Sequence, residues 1–452
     1  MKNIVIVVAT LLGGVATYGQ TTLSLSQCKE MALKNNVAMK NSQLEIDAAK
    51  EVKKNAYTNY FPKVSANAMA MKAADPMVSI PVGQYLSPVL SSVAPILAQG
   101  GVDPASLAAG VPNEINALEQ VQIGSINIIQ PLYVGGQIRT GNQLAQLGVD
   151  VKEQQQLLTR NEVLLKTEQQ YWLLVSLQEK QKTIEKYEEL LTSIEKQVND
   201  AQKSGLILKN DQLKVKLKIS ELKANKNQLK NGKKLATMQF CQTIGTPYDS
   251  NLVLNDSITE IPEPSSIFVL SNQALSNRTE FQLLEKSIEA EDLQAKLARG
   301  EFMPQVAVGA TGYYVDGYYK DADPLKNAMV YATLSIPISD WWGGAHKIKE
   351  HKYKQQIAQN NFDDTKKLLT LQMEKGWTDL TQTYEYVELM QQTNEQAQEN
   401  LKISQDSYNS GIITVSDLLE SQALIVEIED KLIEAKSNYM LAIASYLQMT
   451  AR

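Results

Sequence analysis

Apolar residues recur every seven positions over two very long stretches of this chain, and every second position over four short ones. In the first long stretch Leu144, Val151, Leu158, Leu165 and Trp172 are followed by Leu177, Ile184, Leu191 and Val198, with Tyr187, Ile194 and Ala201 alongside. Such a repeat is the seam of a coiled-coil helix. It predicts one helix over 137–203, about 100 Å of rod at about 1.5 Å per residue, too long for the interior of an ordinary domain. Gly205 breaks it, and Leu208, Val215, Leu222, Leu229 and Ala236 predict a return helix over 208–243. Two seams joined by a short turn make an antiparallel helical hairpin.

The plan is written twice. Pro131, Gly135-Gly136 and Gly205 of the first copy answer to Pro337, Gly343-Gly344 and Gly411 of the second; Pro131 to Pro337 and Gly205 to Gly411 are both offsets of 206. Leu380, Val387, Leu401 and Tyr408 predict a long helix over 345–409. Leu418, Ile425, Leu432, Tyr439 and Tyr446, with Ile428, Ala435 and Ala442 as a second seam, predict its return over 415–450. Further forward, Ala32-Leu33-Lys34-Asn35 returns as Ala274-Leu275-Ser276-Asn277, and Phe61-Pro62 as Met303-Pro304, at an offset of 242. These belong to leading helices predicted over Leu23–Asn59 and Ile267–Gly300. The division is therefore repeat 1 over 20–245, a Pro- and Asp-punctuated connector over 246–266 with Leu252-Val253-Leu254 as a short strand, and repeat 2 over 267–452. The drop from 242 to 206 comes from a shorter excursion between the paired strands of the second copy.

Period two marks those strands, expected at about 62–73, 120–132, 304–315 and 328–339. Val64, Ala66, Ala68 and Ala70 alternate with more polar neighbours, as do Val306, Val308 and Ala310, and Val330, Ala332, Leu334 and Ile336. In 120–132 the apolar parity changes near Gly124, from Val121 and Ile123 to Ile126 and Ile128, which predicts a bulge there. Each run is about the nine to eleven residues that a tilted strand needs to cross a bilayer. Tyr313, Tyr314, Tyr318, Tyr319 and Tyr331 cluster at one end of the second pair and Trp341 and Trp342 at the other, the arrangement of interfacial aromatic belts. Residues 73–119, rich in Pro, Gly, Ser and Ala, read as a long excursion.

The start, 1–19, has the layout of a cleavable signal: Lys2, an apolar run from Ile4 to Leu12, then small residues. That run is too short to span a bilayer as a helix, and no later stretch is apolar for long enough. An exported chain of this kind is either soluble or a β-barrel. The 452 residues carry a net charge of −6, which argues against a nucleic-acid surface. Two cysteines are too few for a disulfide-built scaffold. No phosphate loop, nucleophile elbow or metal-ligand cluster is present, and His346 and His351, five apart, do not share a helical face. No cofactor, metal or enzymatic role is expected.

In order, duplication and spacing these features resemble the TolC-like outer-membrane efflux family, over essentially the whole mature chain. Besides the elements above, the resemblance rests on the Ala-Leu-x-Asn helix starts and on Tyr408-Asn-Ser-Gly411 followed by Asp417-Leu-Leu-Glu420, with Gly205, Asp211 and Leu213 as their first-copy counterparts. The family fold is mainly α with a membrane β-barrel. The resemblance implies a homotrimer in the outer membrane of a Gram-negative bacterium, four strands per chain completing a twelve-stranded barrel. Its coiled-coil helices would form an α-barrel tunnel through the periplasm. Four strands in lipid demand closure in any case, because open edges go unsatisfied there.

The implied function is passive: the exit duct of a tripartite exporter, joined through a periplasmic adaptor to an inner-membrane pump of RND or ABC type. The hairpin tips, Ser204, Gly205, Leu206, Ile207 and Ser410, Gly411, Ile412, Ile413, are the candidate docking and aperture residues; helix-hairpin turns ending in glycine are the plainer reading. Asp200 and Asp406, again 206 apart, are candidates for a ring of lumen carboxylates, while Lys402 stands where the family's gate aspartate aligns. Cys28 and Cys241 fall on helices expected to meet, where an oxidising compartment permits a bond and two buried thiols are the alternative. Two other functions stay open: a type I protein secretion duct with the same fold, and a secreted coiled-coil scaffold or adhesin, which would need no alternating strands.

Overall fold

The computed structural model describes residues 22–100, 103–109, 113–205, 207–258, 261–319 and 322–452; the expected signal over 1–19 lies outside them. The first copy runs β1 (Thr22–Leu23), α1 (Leu25–Asn35), α2 (Val37–Thr58), β2 (Lys63–Lys72), β3 (Val78–Ile80), α3 (Val82–Gln99), α4 (Pro104–Ala109), β4 (Ile115–Ala117), β5 (Gln120–Val134), α5 (Gln137–Lys203) and α6 (Lys209–Ile244). After β6 (Val253–Leu254), the second runs α7 (Ser271–Leu275), α8 (Thr279–Glu301), β7 (Gln305–Asp316), β8 (Leu325–Ser335), α9 (Trp341–Asn409) and α10 (Val415–Met449). The chain divides into two units, one over residues 50–148 and 289–357 and one over the remainder. Among the described residues no helix is long and apolar enough to cross a membrane.

The first unit holds an antiparallel sheet in the order β2-β5-β7-β8. Around Val64 and Ala66 its register puts apolar positions of all four strands on one face, and toward the other end the row Met69, Ile123, Val315 and Leu325 is apolar on the opposite face. Val64, Ile128, Ala310 and Val330 form one cross-strand row, and Ala66, Ile126, Gly312 and Ala328 the next. The rows between are more polar: Ser65, Asn127, Thr311 and Met329, then Asn67, Ser125, Tyr313 and Asn327. Thr311 Oγ1 donates to Asn127 Oδ1 at 2.9 Å across strands, and Asn127 Nδ2 to Ser125 Oγ at 3.3 Å along β5, so the polar rows are linked to one another. A one-residue slip would turn every strand over, which is why alternation fixes register.

Proline chemistry corrects the expected strand plan. Pairing runs unbroken through Gly124, which faces Ala68 on one side and Tyr314 on the other. The parity change is therefore a change in which face is apolar, with Val121 and Ile123 on the other side of the strand. The register shift falls instead between Pro131 and Tyr133, where the missing proline N–H interrupts the ladder. At the equivalent place in the second copy β8 stops at Ser335, short of Pro337, and starts at Leu325 rather than 328. Trp341 and Trp342 open α9 instead of trailing a strand; Trp341 Nε1 donates to the Phe302 carbonyl at 2.9 Å. The excursion over 73–119 also carries structure that turn-forming composition hid, including α3 with Pro88 and Pro95 inside it.

In the helical unit the leading helix is broken rather than continuous. Asn36 has extended backbone between α1 and α2, accepts from the Ala38 N–H at 2.8 Å and donates to the Thr243 carbonyl at 2.9 Å. It thus caps α2 while tying the break to the end of α6. At offset 242 the second break holds Arg278, buried, with its guanidinium forked on Glu280 at 2.7 and 3.2 Å. Below the breaks Tyr171, Trp172, Val175, Phe240 and Ile244 pack with Cys28 and Ala32 in one apolar cluster. Tyr171 Oη donates to Asp256 Oδ2 at 2.7 Å, and burial first, then that carboxylate, hold the phenol far above its usual range. Parallel pairing of β1 with β6 closes the same region.

Candidate functional site at the hairpin tips

Each long helix ends the same way. Ser204 Oγ donates to the Asp200 carbonyl at 3.0 Å and Ser410 Oγ to the Asp406 carbonyl at 2.9 Å, each a second bond to a carbonyl that also accepts the serine's own N–H. Gly205 and Gly411 follow with φ of +73° each, the left-handed residue that stops a helix. In the second copy the Ile412 N–H reaches back to the Ser407 carbonyl at 2.8 Å. Leu206 lies outside the described residues. Ser204, Gly205, Ser410, Gly411 and Ile412 are exposed, while Ile207 and Ile413 are half-buried.

The return helices start differently. Thr414 and Asp417 form a reciprocal capping box at the head of α10. The Thr414 side chain and backbone bonds hold the Asp417 carboxyl below its usual range. The first copy has Leu208 at the Thr414 position and no side-chain cap; Asp211 still lies in the first turn, where the helix dipole favours a carboxylate.

Below the turns the two hairpins share one apolar cluster. Leu191, Ile194 and Val198 of α5 and Val215 and Leu222 of α6 pack with Val415, Leu418 and Leu419 of α10, flanked by Leu401 and Tyr408 of α9. Lys214 Nζ donates to Ser416 Oγ at 2.6 Å, a polar link between the two return helices. The sequence placed the two tips at equivalent positions without revealing that their seams merge.

The candidate aperture charges are solvated. Asp200, 62% exposed, pairs with Lys203 at 3.4 Å; Lys402, 71% exposed, stands 4.0 Å from Glu399; Asp406 is exposed. Both aspartates lie in the last turns of their helices, where the negative end of the dipole disfavours them. Of the two readings left open for the cysteines, the structure has the second: Cys28 and Cys241 are both buried and free. Burial, then Asp256 and Cys241, push the Cys28 thiol up to about 12, so it stays protonated and inert as a nucleophile. A residue the sequence reading passed over is Gln422, wholly buried with both amide atoms unpartnered; its only signal was a polar side chain one turn after Leu418 in an otherwise apolar stripe.

Residues 270–450 match the family model described as outer membrane efflux protein. No curated protein matches the chain by sequence. Among solved structures it is similar to the outer membrane protein VceC of Vibrio cholerae, 13% identical over 94% of this chain and 95% of that one, with a TM-score of 0.72. It is likewise similar to the CmeC outer membrane channel of Campylobacter jejuni, 15% identical over 99% and 94%, TM-score 0.74. The MtrE outer membrane channel of Neisseria gonorrhoeae, in its open state, is 12% identical over 94% and 88%, TM-score 0.71.

Proposed function

We propose, from the premise that residues 270–450 belong to the outer membrane efflux protein family, that the chain is an outer-membrane exit duct of a tripartite exporter. The observation that carries this reading is the sheet: four antiparallel strands whose rows at Val64 and Ala66 are apolar right across on one face, with the polar rows at Ser65 and Asn67 on the other, and two unpaired edges, β2 and β8. An apolar outside, a polar inside and edges that must be closed are the requirements of a membrane barrel. Three copies would supply twelve strands, and the long helical hairpins of each copy would continue the duct into the periplasm.

In this reading the protein performs no chemistry. It lowers the barrier to crossing the outer membrane by enclosing an aqueous path, and the energy comes from an inner-membrane pump coupled through a periplasmic adaptor. The tips, 204–207 and 410–413, are the surfaces that meet the adaptor, and Asp200 and Asp406 are repeated near them as a ring of carboxylates at the aperture. Lys402, where the family's aspartate aligns, gives this aperture mixed charge.

Deletion of the gene separates the cargoes. Sensitisation to small toxic compounds with an unchanged set of secreted proteins is the expected result. Loss of secreted proteins with unchanged sensitivity would move the assignment to type I secretion. No change in either would remove the export role.

A further inference from the structure

One cleft in the helical unit gathers four lysines. It lies between α5, α6 and the connector and has a volume of about 450 Å3, within the range of small-ligand sites. Lys226, Lys230, Lys233 and Lys234 of α6 line it, at positions i, i+4, i+7 and i+8, which is one helical face. Ile184 and Leu229 give it an apolar wall, and Tyr248 and Ser250 of the connector bring hydroxyls.

Several lysines on these helices have a carboxylate partner. Lys180 meets Asp430 and Glu434, Lys214 meets Asp211, and Lys218 meets Glu221. Inside the cleft, among the described residues, only Lys226 ends on a carboxylate, that of Glu188. Lys233 is half-buried and donates to a neutral amide oxygen, Gln181 Oε1, at 2.9 Å. Burial lowers its ammonium pKa, offset in part by Glu185. Lys230 and Lys234 are exposed in the cleft, with no ion pair among the described residues. A partly desolvated cation held by an amide gains when a negative group enters beside it.

We propose that this cleft is a binding site for an organic anion that carries a phosphate or carboxylate on an apolar body, the charge taken by Lys230, Lys233 and Lys234 and the body by Ile184 and Leu229. The site stands apart from the tips and does not depend on the transport reading.

Calorimetric titration of the full-length protein in a non-ionic amphipol, with 1-naphthyl phosphate as probe, tests it. Neutral 1-naphthol supplies the same body without charge, and inorganic phosphate the charge without the body. The expected result is saturable binding of 1-naphthyl phosphate, weaker binding of both controls, and a loss of about tenfold or more in Lys230→Gln/Lys234→Gln, the scale of about one charge-assisted contact. Lys216→Gln/Lys223→Gln, exposed on the same helix outside the cleft, keeps wild-type affinity. Absence of saturable binding, affinity equal to that of 1-naphthol, or equal losses in the two double variants would each overturn the proposal.

Discussion

Two glycines carry opposite kinds of constraint. Gly135 has a φ of +61°, and a Cβ there would sit 2.2 Å from the carbonyl oxygen of Gly300, so both its conformation and its space exclude a side chain. Gly411 has a φ of +73° but nothing within 4 Å of a built Cβ; alanine there costs about 1–2 kcal/mol of left-handed strain and no more. Gly135→Ala should therefore sharply reduce the amount of folded protein recovered from the outer membrane, while Gly411→Ala leaves it near wild type. Equal recovery of the two would show that the contact with Gly300 is not a constraint. The Gly135-Gly136 corner was legible because glycines between a strand and a helix mark a turn. Gly300 was not, because its need for smallness comes from a backbone 165 positions away that no local pattern announces.

At the scale of elements, the periods of two and seven held enough information to separate strands from helices and to pair the two copies. They failed where a polar side chain does structural work inside an apolar pattern. Asn36 and Arg278 break helices that periodicity runs through, because their bonds to Thr243 and Glu280 are contacts of position rather than of rhythm. Proline was legible as punctuation but not as geometry: Pro131 gives a bulge in a strand that continues, and Pro337 lies beyond one that ends. The tips were found from duplication alone, and their proposed docking role has a discriminating pair of variants. Aspartate tolerates the left-handed conformation at least as well as alanine, so backbone strain cannot separate them. Gly411→Asp should abolish drug resistance conferred by the assembled exporter, with normal trimers in the outer membrane, and Gly411→Ala should keep it. Normal resistance in Gly411→Asp would remove the docking role.

For the whole molecule, the fold class follows from three features visible in the sequence: strands long enough to cross a bilayer, helices too long for a globule, and their duplication. The cargo does not follow, because an enclosed aqueous path selects weakly among solutes. The register of the sheet is the step between pattern and duct. It lines up four separate alternations into shared cross-strand apolar rows, with two edges that lipid cannot satisfy. The central claim is that closing those edges makes a conducting pore. Single-channel recording of the purified, folded protein in planar lipid bilayers tests it most directly. The account predicts discrete conductance steps of uniform size, each from one three-chain assembly. Folded protein that inserts into the bilayer and yields no steps above those of a detergent blank would contradict it.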